Sequence, residues 1–172
     1  IKMKILLKLA ALGVASILAS CSQQLDLEQN FEIAKSGNQY VVLGSVNNKV
    51  FQKSTRADEA IQYAIDALGE KGGEVSISKG DFNLSKPINL KDRVILSGSG
   101  RATRLIVEKG IGIKCDSIYG FEVSKLSVTS DGNKEATIGI EVNACGDAKI
   151  DNSFFGGFAK HGISVLNNTF LF

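Results

Sequence analysis

Several residue types are scarce in this 172-residue chain: tryptophan is absent, and proline and histidine occur once each, as Pro87 and His161. A single proline leaves strands uninterrupted, while 18 glycines suit a structure with many turns. Only Cys115 and Cys145 follow Cys21, so the cysteines form no disulfide framework. Both lie in apolar, strand-like sequence, which favours buried thiols, with a disulfide pair as the alternative in an exported chain.

The apolar run near the N-terminus, residues 5–18, is too short to span a bilayer comfortably. It follows lysines and ends in small residues, which is the layout of a secretory signal with Met3 as its start. A retained transmembrane helix is the alternative. The run ends in Leu18-Ala19-Ser20-Cys21, which resembles the bacterial lipobox. This resemblance implies a signal peptide over residues 1–20 and acylation of Cys21; an ordinary signal peptide with an incidental Cys21 is the alternative.

The lipobox resemblance also implies a location. Ser22, in place of aspartate, follows Cys21, which implies the outer membrane or cell surface, with a membrane attachment through several acyl chains. Removal of the three lysines of the signal leaves 17 basic residues of 20 against 18 acidic ones, so the net charge changes from +2 to −1. The lysines and arginines are not clustered, and the sequence therefore predicts no nucleic-acid partner.

Residues 21–38 are polar and weakly patterned and are predicted to be a tether, followed by a domain over residues 39–172. Tyr40 to Phe51 predict two short strands around an Asn47-Asn48 turn. A helix is predicted over about residues 57–69, because apolar residues share one helical face and glycines follow. Thr55 and Asp58 have the spacing of a capping box at its start.

After Gly73 the apolar period changes from helical to alternating, and no helix-length segment follows, which excludes a doubly wound α/β fold. One phrase, glycine-isoleucine-polar-aliphatic, begins at Gly112, Gly139 and Gly162, with spacings of 27 and then 23 residues. A period in the twenties made of short strands predicts a solenoid. The predicted fold is all-β: a parallel β-helix of about four coils, with isoleucines stacked inside and the helix capping its N-terminal end.

Residues 57–165 resemble the N-terminal portion of pectate-lyase-like right-handed parallel β-helix proteins. The resemblance lies in the helix "AIQYAID", the following Gly-Gly, the turn "KGDF", the coil "VILSGSG" and the loop "SDGN". It implies a surface protein that acts on polysaccharide, in particular an acidic glycan, as a lyase, glycoside hydrolase or epimerase. A non-catalytic glycan-binding or adhesin-type β-helix is the alternative. Calcium is implied only for a full-length enzyme, and no cofactor for these residues.

The 27-residue register places several side chains on the outer faces. They form three sets: Ile95, Glu122 and Lys149; Ser97, Ser124 and Asp151; and Lys114 with Glu141. Opposite charges on adjacent coils favour cross-strand ion pairs, between Glu122 and Lys149 and between Lys114 and Glu141. Asp151 is a candidate for substrate binding at the surface.

Two further residues are site candidates. Asp131, in "SDGN", is a candidate for substrate binding, with a structural turn as the alternative. His161 is the candidate catalytic base, with an exposed turn residue as the alternative. The epimerase Asp-Pro-His-Glu segment, the paired aspartates of polygalacturonases and a calcium-binding acid cluster are all missing, so no metal site is predicted.

The C-terminal residues "NNTFLF" continue an apolar strand pattern without a polar cap. This pattern predicts an N-terminal fragment of a longer β-helix, with catalytic residues beyond Phe172. A lone His161 cannot supply the two groups that such catalysis needs, so the chain itself is predicted to be inactive.

Overall fold

The structure is a computed structural model, and it describes residues 30–167. The predicted signal peptide, the predicted acylation of Cys21 and residues 168–172 lie outside this part of the chain. Within residues 30–167, no helix is both long enough and apolar enough to cross a membrane.

The chain forms fifteen strands and one α-helix in the described region. The N-terminal elements are β1 (Asn30–Ser36), β2 (Gln39–Gly44), β3 (Val50–Ser54) and α1 (Ala57–Leu68). The remaining strands are β4 (Gly73–Ile77), β5 (Gly80–Leu84), β6 (Ile88–Asn89), β7 (Val94–Ser97), β8 (Thr103–Val107), β9 (Gly110–Asp116), β10 (Glu122–Ser124), β11 (Ser127–Thr129), β12 (Ala136–Asn143), β13 (Lys149–Asp151), β14 (Phe154–Gly156) and β15 (His161–Leu166).

Strands β4 to β15 form a parallel β-solenoid, which confirms the predicted fold class. Sheet A contains β4, β7, β10 and β13; sheet B contains β5, β8, β11 and β14; sheet C contains β6, β9, β12 and β15. The solenoid contributes four parallel strands to each sheet, so about three turns separate the first of these four strands from the last. Strands β1, β2 and β3 extend sheet A beyond β4.

The register between coils is the one that the repeat predicts. Ile113 pairs with Ile140 and Ile140 pairs with Ile163, so the 27-residue and 23-residue spacings each correspond to one coil. The close approach of adjacent coils explains why the repeated phrase contains a glycine. A Cβ on Gly112 would lie 2.7 Å from the carbonyl oxygen of Gly139, and a Cβ on Gly139 would lie 2.5 Å from that of Gly162. A side chain at these positions would collide with the backbone of the next coil.

The core is built from columns of apolar side chains, one column for each sheet. Register partners stack within each column, and almost all of them are fully buried. The columns are Val75, Leu96 and Val123 in sheet A; Phe82, Leu105 and Val128 in sheet B; and Ile88, Ile113 and Ile140 in sheet C.

Helix α1 covers the N-terminal end of this core, as the sequence predicts. Its apolar face, including Ile61 and Ile65, is fully buried, and the helix ends at Gly69, whose φ is 62°. The predicted capping box is wrong: the N-cap residue is Arg56, and no side chain caps it. The carboxylate of Asp58 instead accepts hydrogen bonds from Arg56, Ser85 and the backbone of Lys86.

The predicted tether also needs correction. Within it, Asn30–Ser36 forms strand β1, which pairs in antiparallel fashion with β2 and in parallel fashion with β4. Phe31 and Ile33 alternate with polar residues and are buried, with 3% and 0% of their surface exposed. This alternation covers only two apolar positions and was too short to be distinguished from polar linker sequence. The predicted turn at Asn47-Asn48 is confirmed between β2 and β3, with φ of 53° at Asn48.

Candidate functional site

Asp131 lies in the turn after β11, where its backbone adopts a φ of 48°. Its carboxylate accepts two hydrogen bonds from Nη2 of Arg104, at 2.6 and 2.8 Å. Arg104 also contacts Asp81, one coil earlier on the outer face of sheet B, at 3.2 Å. Asp131 therefore has the two structural roles of a turn residue and an ion-pair partner.

The other two candidates lie on other sheets. Asp151 ends β13 in sheet A, where its carboxylate accepts a hydrogen bond from Asn152 at 2.9 Å and lies 4.0 Å from Nζ of Lys149. His161 begins β15 in sheet C, is exposed, and is the register partner of Ile138. The structure thus does not bring Asp131, Asp151 and His161 together into one site.

The ion pairs predicted between adjacent coils on the outer faces are partly confirmed. Lys149 and Glu122 form an ion pair at 3.3 Å. Lys114 and Glu141 are register partners, but they form no ion pair within the described part of the chain. Ser97 and Ser124 are register partners as predicted, but they are only 8% and 3% exposed, so these two positions are buried.

The two cysteines of the domain are buried thiols, as their apolar surroundings predict. Sγ of Cys145 lies 3.4 Å from the carbonyl oxygen of Cys115. Burial raises the pKa of the Cys115 thiol, and the neighbouring Cys145 raises it further. A protonated, buried thiol is a poor nucleophile, so Cys115 is not suited to be a catalytic cysteine.

A cleft on the outer surface of sheet C carries three lysines that the sequence had not linked. Lys86 lies in the turn between β5 and β6, Lys109 in the turn between β8 and β9, and Lys114 in β9. Together with the apolar Pro87 and Ile111 they line a cleft of about 470 Å³. We call this the lysine cleft.

The lysines of this cleft have no acidic partner in residues 30–167: none of Lys86, Lys109 and Lys114 belongs to an ion pair there. A sequence signal for two of them existed. Lys86 lies two residues after Leu84, the last residue of β5. Lys109 lies two residues after Val107, the last residue of β8. Since Leu84 and Val107 are register partners, the two turns lie on adjacent coils.

A second cleft, of about 490 Å³, lies between helix α1 and strand β6. Its helix side contains Glu59, Gln62, Tyr63 and Asp66, which are spaced for one helical face. Lys86 and Pro87 line this cleft as well as the lysine cleft. We call it the tyrosine cleft, because Tyr63 is 37% exposed there.

Asp58 fixes the turn that separates the two clefts. Its Oδ2 accepts hydrogen bonds from Oγ of Ser85 at 3.0 Å and from the backbone N–H of Lys86 at 2.8 Å. Nη2 of Arg56 donates to the same oxygen at 2.6 Å. Burial acts to raise the pKa of Asp58, but the hydrogen bonds from Arg56 and Ser85 outweigh it, so the pKa is lowered. The carboxylate is therefore ionised at neutral pH and holds the turn in place.

No metal site is found in the described region, because it contains no group of three or more histidine, cysteine, aspartate or glutamate side chains with suitable placement. Family models and curated proteins give no match to this chain. Among solved structures, the chain is similar to a protein described as "Geobacillus virus E2 - ORF18", with 14% identity and a TM-score of 0.55. The match covers 76% of this chain but only 34% of the viral protein, and it supports the solenoid fold alone.

Proposed function

We propose that this β-solenoid binds an anionic polysaccharide along the outer surface of sheet C, and that the lysine cleft makes the principal contact. The observation that carries this proposal is the grouping of Lys86, Lys109 and Lys114 around one cleft with no acidic partner in the described chain. Ammonium groups that form no ion pair favour an anionic ligand. The resemblance to pectate-lyase-like proteins supports a uronate-containing glycan as that ligand.

The cleft also suits a sugar by its shape and polarity. A pyranose ring has apolar C–H faces and a polar rim, and Pro87 and Ile111 supply apolar surface between the lysines. A volume of about 470 Å³ falls in the usual range for small-ligand sites. Each exposed lysine contributes little alone, roughly 0–1 kcal/mol, so useful affinity requires a repeating chain that engages several groups at once.

Catalysis by lyase, hydrolase or epimerase chemistry is the second candidate. It is favoured by Glu141 and His161, a carboxylate and an imidazole on adjacent strands of sheet C. His161 pairs with Ile138, however, so Glu141 lies three residues further along, a separation of roughly 10 Å. An acid and a base that act on one sugar bond or one C–H need closer mutual geometry, and a binding role is therefore the better supported proposal.

We also propose that the protein is exported and held at the outer membrane or cell surface by acylation of Cys21. The support is the Leu18-Ala19-Ser20-Cys21 sequence after an apolar run. A glycan-binding solenoid has its ligands outside the cell, so the location and the binding role agree.

Calorimetric titration of the purified chain with oligogalacturonate, alginate oligomers and a neutral glucan tests the binding proposal. We expect both acidic glycans to bind and the neutral one not to bind. The double variant Lys109→Gln, Lys114→Gln should lower the affinity for the acidic glycans at least tenfold. The matched control, Lys53→Gln with Lys79→Gln, removes the same charge from exposed positions elsewhere and should change it less than twofold. Equal losses in both variants, or no binding at all, would refute the proposal.

A further inference from the structure

We infer that the two clefts form one groove for a mixed glycan unit: a carboxylate sugar in the lysine cleft and a neutral sugar in the tyrosine cleft. This inference rests on the proposed function and adds the class of polysaccharide. Continuity is the first observation. Lys86 and Pro87 line both clefts, so a chain that occupies the lysine cleft reaches the tyrosine cleft across Pro87 without leaving the surface.

The second observation is the difference in charge between the two clefts. The carboxylates of the tyrosine cleft are already paired: Glu59 with Arg56 at 3.4 Å, and Asp66 with Lys91 at 2.7 Å. Asp58 is buried and bonded to Arg56. A second uronate here would meet these carboxylates and would be repelled. A cationic sugar would find no unpaired carboxylate among them, so a neutral sugar fits best.

The third observation is the aromatic ring. Tyr63 is 37% exposed in the tyrosine cleft, and Pro87 lines the same cleft, so apolar surface is available for the C–H face of a sugar. The paired carboxylates of Glu59 and Asp66 retain lone pairs that can accept hydrogen bonds from neutral hydroxyl groups. The lysine cleft has no aromatic residue in its lining. The two halves of the groove therefore have different chemistry, and a polymer of a single sugar would match only one of them.

The test uses three hexasaccharide probes with the purified chain: oligogalacturonate, which is entirely acidic; cellohexaose, which is neutral; and hyaluronan, in which glucuronate alternates with a neutral amino sugar derivative. We expect hyaluronan to bind at least tenfold more tightly than either of the others. Tyr63→Ala should lower the affinity for hyaluronan about tenfold and that for oligogalacturonate less than twofold. Tyr63→Phe should restore it, because the ring is kept.

The matched control is Tyr119→Ala, which removes a tyrosine that is 62% exposed and lies outside both clefts. It should leave all affinities unchanged, and circular dichroism should show that every variant is folded. If oligogalacturonate binds as tightly as hyaluronan, or if Tyr63→Ala weakens both equally or neither, the mixed-glycan inference is wrong while the proposed function stands. If no acidic probe binds, the proposed function itself fails.

Discussion

The side-chain amide of Gln62 pairs with the backbone of Asn89 as another strand would. Nε2 of Gln62 donates to the carbonyl oxygen of Asn89 at 3.1 Å, and Oε1 accepts from its N–H at 2.9 Å. Asn89 belongs to β6, the edge strand of sheet C at the N-terminal end of the solenoid. An open strand edge has unpaired backbone groups that invite pairing with another chain. Helix α1 thus covers the core and also satisfies part of this edge.

Gln62→Ala should destabilise the fold by about 1 kcal/mol, since two partly exposed hydrogen bonds are replaced by bonds to water. Gln62→Glu is the matched comparison, because glutamate keeps an acceptor for the N–H of Asn89 but cannot donate to its carbonyl oxygen. We expect Gln62→Glu to lose stability as well, and size-exclusion chromatography to show more self-association in both variants. Urea unfolding curves identical to the wild type would contradict this role for Gln62.

Asp58→Asn should cost about 2 kcal/mol, because it removes a buried carboxylate that accepts charged hydrogen bonds from Arg56. Asp147→Asn is the control: it makes the same change at an exposed turn residue and should alter the free energy of unfolding by less than about 0.5 kcal/mol. Chemical denaturation of both variants gives the comparison. Similar losses at the two positions would show that Asp58 does not anchor the turn.

The stability should also depend on pH through Asp58. Its pKa is lowered in the folded state, so its contribution is fully present above the ordinary aspartate value of about 3.9 and is lost as pH falls from there through the lowered folded-state pKa. Wild type and Asp58→Asn should therefore differ most near neutral pH and converge in acid. Thermal unfolding measured over a pH series checks this. A constant difference across that series would rule out the ionised carboxylate as the cause.

Ile140→Ala should cost about 2–5 kcal/mol, because Ile140 is fully buried between Ile113 and Ile163 in the sheet C column. Its neighbour Glu141 is the control, since it lies on the outer surface of the same strand. Glu141→Ala should cost less than about 1 kcal/mol. Denaturation of the two variants side by side measures the contrast, and comparable losses would mean that the inward and outward positions are misassigned.

The chain of residues 1–172 should show no turnover of polysaccharide. His161 has no carboxylate ion-pair partner in residues 30–167, and the carboxylates of Asp81 and Asp131 are both already paired with Arg104. Assays with pectate, alginate and hyaluronan should follow the absorbance of unsaturated products and the release of reducing ends. Turnover that His161→Ala abolishes would overturn this prediction and identify His161 as the base.

Expression in a Gram-negative host should yield a membrane-associated protein that begins at Cys21 and carries acyl groups. The reason is the lipobox-like sequence that ends at Cys21. Mass spectrometry of the detergent-extracted protein gives both the N-terminus and the added mass. Cys21→Ser should release the chain from the membrane fraction. A soluble mature chain that starts at another residue would exclude acylation at Cys21.

The fold was predictable because its signals are local and repeated. The structure contains each of them at the predicted positions: the glycine-isoleucine phrases, the alternating strands and the apolar face of α1. Prediction from the sequence failed at two places, the hydrogen-bond partners of Asp58 and the strand β1. Asp58 has capping-box spacing but bonds to Ser85, 27 residues away. Phe31 and Ile33 were too few to mark β1, which is stabilised by pairing with β2 and β4.

The amino-acid sequence alone determined the period of the solenoid, because stacking identical strands requires an apolar residue at the same place in every coil. Only the tertiary structure decided which polar groups meet. Lys86, Lys109 and Lys114 are far apart along the chain, and their cleft exists because successive coils place their turns side by side. The sequence offers Asp131 and Asp151 as similar candidates. In the structure, Arg104 donates hydrogen bonds to Asp131, whereas Asp151 lies on a different sheet. Core packing is encoded by a short apolar period, whereas charge pairing depends on side-chain distances of a few ångströms that no period specifies.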